Sequence, residues 1–277
     1  MINLDILQNF SKKNYYSDPF PFFLIENCYP DKIYNILDKD YRFIIEYLKS
    51  NNNFNELDNK RFQINSETIL NNEVFKKTIW YDFIKYHTSD EFLNKIIEIF
   101  ESDLIKYYPS LFKKITNKNR NQSFLNIRGK DNNKSDFVID CQPGINTPSL
   151  RTSKVRGPHV DNPVEIFGGL FYLRNKKDNS KGGDLEIFKT LNKKIYFEGK
   201  AEVKNTQNLK KVKQFEYQKN KCCFFLNSEK SIHGVSERGI SEYPRNLINF
   251  VIETYKYEKL FKLKRNNYFE KFLKIFK

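Results

Sequence analysis

The sequence predicts a mainly β chain with a helical layer packed on it, an α+β protein, and three observations carry that expectation. Apolar residues repeat at helical spacing up to about residue 116, whereas from about residue 122 they fall in short runs divided by turn-rich segments. A length of 277 residues fits one large domain that can bury most of its apolar surface. Gly and Pro number only 10 and 9 while aromatics make up 16% of the chain, which excludes a disordered or fibrous protein. The expected organisation is a single domain over 1–277: a mainly helical front layer over 1–116, a β core over 117–254 and a basic C-terminal helix over 255–277.

In chain order, Pro19 to Ile25 is expected to be a strand or an edge element, since proline limits ladder pairing. Pro30 and Asp31 begin a helix, because proline is tolerated in the first turn and aspartate suits the positive end of the dipole. Residues 41–49 continue as helix, and the Asn-rich stretch from Asn51 to Asn59 reads as a loop. Thr88 and Glu91 have the spacing of a capping box, after which Phe92, Ile96, Ile99, Phe100 and Leu104 recur at helical intervals. His87, just ahead of that cap, is expected at a surface or helix end.

The core strands are expected at Phe137–Ile139, Ile166–Leu173, Leu185–Phe188, Cys222–Leu226 and Leu247–Ile252, arranged as an antiparallel sandwich or barrel. Lys181-Gly182-Gly183-Asp184 supplies a turn between two of them. Gly168 and Gly169, inside an apolar strand, mark a place where a ligand or another backbone comes close.

A net charge of +14 raises the question of nucleic acid, but lysine is spread along the whole chain rather than gathered in one patch or motif. The abundance of Lys, Asn, Ile, Phe and Tyr is also what an AT-rich genome encodes, so the reading is a generically basic, solvated surface. Four cysteines form no C-x-x-C pair, and adjacent Cys222 and Cys223 leave a strand on opposite faces; reduced, partly buried thiols fit the cytosol. No apolar run approaches the roughly 18 residues of a bilayer span, and the N-terminus lacks the pattern of a signal peptide. A cytoplasmic location is expected.

The chain has only three histidines, and two of them fall in Gly157-Pro158-His159-Val160-Asp161-Asn162-Pro163 and Ser231-Ile232-His233-Gly234-Val235. His159 and Asp161 are two residues apart, so on a strand both side chains leave from one face. Two imidazoles and one carboxylate with the other positions open make the facial triad of non-haem Fe(II) chemistry. A 2-oxo acid can fill two of those positions, leaving one for O2. If the acid is 2-oxoglutarate, its far carboxylate needs a cation, preferably a planar guanidinium. Arg245, twelve residues after His233 at the start of a strand, is placed for that role. Its rival Arg238 falls in the turn containing Gly239 and is expected to face solvent. Arg128, Arg151 and Arg156 precede or flank the first histidine and are either solvated loop residues or a basic rim to the site.

Taken together, these residues resemble the 2-oxoglutarate/Fe(II)-dependent dioxygenases, within them the prolyl-hydroxylase-like branch. The resemblance covers His159 to Pro163, Gly169 to Leu173, Gly182 to Ile187, His233 and Arg245, with a looser likeness over Phe20 to Asn27. It implies a double-stranded β-helix (jelly roll), iron held by His159, Asp161 and His233, and 2-oxoglutarate held by Arg245 with the Tyr172 hydroxyl. It also implies a hydroxylase acting on an unactivated C–H bond of a peptide, amino acid, glycan precursor or small metabolite, with O2 consumed, CO2 and succinate released, and ascorbate as a candidate reductant. The interval from His233 to Arg245 is longer than in some prolyl hydroxylases, and Asn192 to Lys213 intervenes between strands, so the substrate is not carried over. Two alternatives belong to other classes. A nucleic-acid dealkylase would explain the charge, but the second arginine such enzymes carry is absent from Asn246 to Thr254. A non-catalytic metal-binding jelly roll would need the His and Asp ligands but no buried arginine.

Overall fold

The computed structural model describes residues 2–52, 58–116, 125–129, 132, 135–191, 193–256 and 259–265. In chain order its elements are β1 (Tyr15–Tyr16), β2 (Phe22–Glu26), α1 (Asp31–Asn51), β3 (Arg61–Gln63), α2 (Ser66–Asn71), α3 (Ile79–His87), α4 (Asp90–Ile99), α5 (Glu101–Tyr107) and α6 (Pro109–Thr116). There follow β4 (Leu125–Ile127), β5 (Phe137–Asn146), β6 (Glu165–Tyr172), β7 (Leu185–Thr190), β8 (Phe197–Glu198), β9 (Glu202–Val203), β10 (Leu209–Phe215), β11 (Lys221–Leu226), β12 (His233–Val235) and β13 (Arg245–Glu253).

The large sheet runs β1-β2-β11-β6-β13-β5-β3 with β4 alongside β5, and the small sheet runs β10-β7-β12. Strand alternation divides the large sheet into two unlike faces. Phe23, Ile25, Phe171, Cys222, Phe224, Ile248, Phe250, Cys141 and Ile139 pack into the helical layer. The opposite residues Phe22, Leu24, Tyr172, Cys223, Phe225 and Leu247 pack against Leu185, Ile187 and Phe215 of the small sheet, so the two sheets face each other. Cys222 and Cys223 thus serve opposite faces, and all four cysteines are free and buried. Along β5 and β13 this inner face turns polar, with Asp140, Gln142, Asn146, Arg245 and Asn249 alternating with apolar neighbours on the outer face.

The helical layer follows from the same logic at a different period. Tyr34, Leu37, Tyr41, Ile44 and Leu48 of α1 recur three or four residues apart and are buried. The Tyr41 hydroxyl accepts from the Gly144 N–H (2.9 Å) and lies 2.9 Å from the Leu247 carbonyl, which bolts α1 to β5 and β13. Among the described residues no helix is long and apolar enough to cross a membrane.

Several expectations are corrected. The β core is not confined to 117–254: β2 lies inside the large sheet between β1 and β11, and β3 closes its far edge beside β5, so the core recruits strands from the mainly helical front layer. The strand expected over Pro19–Ile25 is β2, interior to the sheet because Pro19 and Pro21 lie ahead of it. The cap of α4 is Ser89, whose Oγ accepts from the Phe92 N–H; the Thr88 hydroxyl instead donates to the Ile84 carbonyl and closes α3. Residues 255–256 and 259–265 are not helical. Leu260 donates its N–H to the Pro163 carbonyl, Phe197 donates to Lys264, and Phe261 and Leu263 pack on a small cluster with Val160, Phe197 and Ile232. The rest of the expected C-terminal helix, 257–258 and 266–277, lies outside the described residues.

His87 ends α3 as expected but is fully buried. Its Nε2 accepts the Ile6 N–H (3.3 Å), its Nδ1 meets the Phe83 carbonyl (2.8 Å), and its ring packs on Phe83, Phe92 and Phe250. Burial pushes its pKa down to about 4, outweighing the Phe83 carbonyl, so the ring is neutral in the fold. Below the ordinary value near 6.5 the unfolded chain takes up this proton first. Stability is therefore fully present above that value and falls as the pH drops toward 4, by about 3 kcal/mol for this group. Urea titrations from pH 7 to pH 4.5 should show that fall, and H87Q should show a shallower one; an equal slope would assign the loss to other groups.

Candidate metal centre

Two segments remote in sequence are joined here by their backbones. His159 N–H donates to the His233 carbonyl (2.8 Å) and His233 N–H donates to the His159 carbonyl (2.9 Å), an isolated antiparallel bridge that extends β12 and hence the small sheet. The imidazole centroids are consequently 4.3 Å apart. Each ring is held by a carbonyl two residues back: Nδ1 of His159 lies 2.7 Å from the Gly157 oxygen and Nδ1 of His233 lies 2.8 Å from the Ser231 oxygen. A carbonyl can only accept, so both Nδ1 atoms carry a proton, and in the neutral rings the lone pairs lie on Nε2.

Asp161 stands against those lone pairs, Oδ1 at 3.6 Å from His159 Nε2 and Oδ2 at 3.7 Å from His233 Nε2. One donor atom from each of the three residues lies within 4.8 Å of the others, a grouping that could hold a metal ion. Burial alone would raise the Asp161 carboxyl, but His233, His159 and Arg156 outweigh it and hold the group well below the usual carboxylate range. Burial, followed by the neighbouring His159, pushes His233 down to about 4, so that imidazole is neutral at neutral pH and able to ligate. Arg156 Nη1 is 3.6 Å from Asp161 Oδ1, which places it at the rim. The other two rim candidates do not join it, as Arg151 pairs with Asp58 and Arg128 with Glu253.

Gly168 is a residue type the site requires. A Cβ there would stand 2.5 Å from the Phe225 ring and 3.1 Å from Asp161 Oδ2. Phe225 in turn packs on the His233 imidazole with centroids 4.5 Å apart. The close approach expected at Gly168 is thus that of two side chains, one of them the carboxylate of the centre.

Arg245 begins β13 and is 1% exposed, with Nε donating to the Gly183 carbonyl (2.9 Å) and Nη1 to Asn146 Oδ1 (3.3 Å). Gly183 sits at φ +75°, a left-handed conformation natural to glycine, and the turn expected at Lys181–Asp184 thereby aims a carbonyl at the guanidinium. The rings of Tyr172 and Tyr217 flank it at 5.0 and 4.9 Å. Arg245 Nη2 and the Tyr172 hydroxyl are buried donors without a hydrogen-bond partner among the described residues. Burial pushes the Tyr172 pKa up, with Arg245 opposing, so the hydroxyl keeps its proton. Arg238 does not face solvent: it is fully buried, with Nη2 3.2 Å from Asp178 and also donating to the Tyr243 carbonyl, and so braces the loop ahead of β13.

Sequence reasoning missed Asn146, Tyr217 and Arg61. Asn146 and Arg61 align with Arg245 across β5 and β3, an alignment that only strand register reveals. Tyr217, whose hydroxyl accepts the Asn246 N–H (2.9 Å), carried no signal beyond its aromatic class.

No family model and no curated protein matches this chain. The solved structures to which it is similar include prolyl 4-hydroxylases and a 2OG-Fe(II) oxygenase family protein. One is a prolyl 4-hydroxylase from Phytophthora capsici, at 14% identity and a TM-score of 0.44 over 85% of this chain, which spans 59% of that one. A second is a prolyl-4-hydroxylase from Pseudomonas putida, at 10% identity and 0.40 over 84% of this chain and 92% of that one. A third is a viral collagen prolyl hydroxylase from Paramecium Bursaria Chlorella virus-1 in complex with 2OG, at 11% identity and 0.39 over 84% and 96%. At these levels the likenesses carry no argument about function.

G168A is expected to displace Phe225 or Asp161 and weaken Mn(II) binding about tenfold or more while leaving the far-UV circular dichroism unchanged. Unaltered Mn(II) affinity would mean that the contact does not position the carboxylate.

Proposed function

We propose that this chain is an Fe(II)- and 2-oxoglutarate-dependent oxygenase that hydroxylates an unactivated C–H bond on a double-stranded β-helix (jelly roll) core. The observation that carries the reading is a pair of buried donors without partners among the described residues, Arg245 Nη2 and Tyr172 Oη, on the large-sheet face whose Phe225 packs on the His-Asp-His group. Leaving such donors unsatisfied costs about 1–3 kcal/mol each, so the pocket suits a carboxylate that takes both. A metal-binding protein without a cosubstrate has no use for that arrangement.

His159, Asp161 and His233 would hold the metal from one side, and Arg245 with Tyr172 would hold the far carboxylate of 2-oxoglutarate. The donor set of two imidazoles and one carboxylate with open positions is that of non-haem Fe(II). When bound, Fe(II) with 2-oxoglutarate supplies the activation of O2, with release of CO2 and succinate. The chain's own part is orientation. The Gly157 and Ser231 carbonyls fix both imidazole tautomers, and Arg156 helps keep Asp161 ionised. The Gly183 and Asn146 oxygens fix the plane of the Arg245 guanidinium, and Tyr172, Tyr217 and Phe225 are buried in the apolar cluster between the sheets.

Purified protein given Fe(II), ascorbate and 2-oxoglutarate should produce succinate at least slowly, and H159A should abolish it; wild-type turnover in that variant would remove the triad assignment. R245Q should weaken 2-oxoglutarate binding about 10- to 150-fold, the equivalent of one charge-assisted bond. Unchanged affinity would show that the carboxylate is held elsewhere.

A further inference from the structure

A second guanidinium shares the inner face with Arg245. Arg61 of β3 is the register partner of Asn146 in β5, and Asn146 is the register partner of Arg245 in β13, so the three side chains stand in one cross-strand row. The Arg61 residue is partly exposed, yet its Nη2 is out of solvent and has no hydrogen-bond partner among the described residues. Its Nε donates to Gln63 Oε1 (3.1 Å), which directs the group along β3 rather than across to Arg245. Gln63 continues an amide rail on the same face, donating to Gln142 Oε1 (2.8 Å), which also accepts from Asn249 (3.0 Å).

We propose that Arg61 anchors an anionic group of the substrate to be oxidised, so that this substrate is a small molecule with a free carboxylate; the inference rests on the oxygenase reading above. The charges support it. With a divalent metal and 2-oxoglutarate in place, the metal and the guanidiniums of Arg61, Arg156 and Arg245 outnumber the charges of Asp161 and the two cosubstrate carboxylates. Burial, and then the charge of Arg245, lower the Arg61 pKa only to about 10, so it remains a cation at neutral pH. Arg245 spends its Nε and Nη1 on the Gly183 and Asn146 oxygens and keeps Nη2, beside the Tyr172 hydroxyl, for the cosubstrate, which leaves the Arg61 Nη2 for a different anion. The neighbouring amides of Gln63, Gln142 and Asn249 suit a polar, hydrogen-bonding substrate rather than a hydrocarbon.

The test uses the full chain loaded with Zn(II) and 2-oxoglutarate, and a set of L-amino acids and short carboxylic acids, each beside its carboxamide, read by ligand-observed NMR. At least one carboxylate should bind the wild type about tenfold or more tightly than its carboxamide. R61Q should erase that preference while its 2-oxoglutarate affinity stays within about twofold and its melting temperature does not fall, and R61K, which keeps the charge, should retain part of it. The proposal is overturned if carboxylates and carboxamides bind alike, if no carboxylate in the set binds, or if R61Q weakens 2-oxoglutarate tenfold and leaves the set unaffected. That last result would give Arg61 to the cosubstrate. Failure of wild-type protein to bind 2-oxoglutarate at all would instead remove the oxygenase reading itself.

Discussion

Everything in the candidate centre depends on the reciprocal backbone pairing of His159 with His233. Those two hydrogen bonds bring together segments more than seventy residues apart and set the imidazoles side by side. The two-residue period of extended chain then delivers Asp161 to the same side as His159. Neither ring is left to find its own orientation, because each is hydrogen-bonded to the carbonyl two residues before it. The chemistry of the site is therefore a consequence of strand geometry, with the side chains following from where the backbone pairs.

The same geometry explains why one sheet can serve both stability and binding. Alternation sends Ile248, Phe250, Cys141 and Ile139 into the helical layer and Arg245, Asn249, Gln142 and Asp140 to the opposite face of the large sheet. A fully apolar inner face would pack better. Instead Arg245 Nη2, Tyr172 Oη and Arg61 Nη2 are buried without partners among the described residues, an arrangement that costs about 1–3 kcal/mol for each unsatisfied group. Clustering of such groups on one face beside three potential metal ligands is the pattern of a site that gains partners on binding.

Much of this is legible in the sequence where periodicity or spacing is strong. The five core strands, the turn at Lys181–Asp184, the His-x-Asp pair, His233 and the place of Arg245 at the start of a strand can all be read from the order of the residues alone. What is illegible depends on long-range register or on a single residue's local choice. β3 is three residues long, too short to show a period, and Arg61 has meaning only through its pairing with Asn146. Arg238 reads as a turn residue facing solvent because nothing in the sequence ties it to Asp178, sixty residues earlier. Thr88 and Ser89 are both competent caps, and the backbone takes the second. The segment after Tyr255 has apolar residues that a helix could use, but its described part spends Phe261 and Leu263 on the cluster around Val160.

The most direct measurement is anomalous scattering from crystals of the protein grown with Mn(II) and 2-oxoglutarate. A metal is expected within about 2.0–2.3 Å of His159 Nε2, an Asp161 carboxylate oxygen and His233 Nε2, with the far carboxylate of 2-oxoglutarate on Arg245 and Tyr172. A metal bound away from these three residues, or a cosubstrate whose carboxylate avoids Arg245, would contradict the assignment of this site.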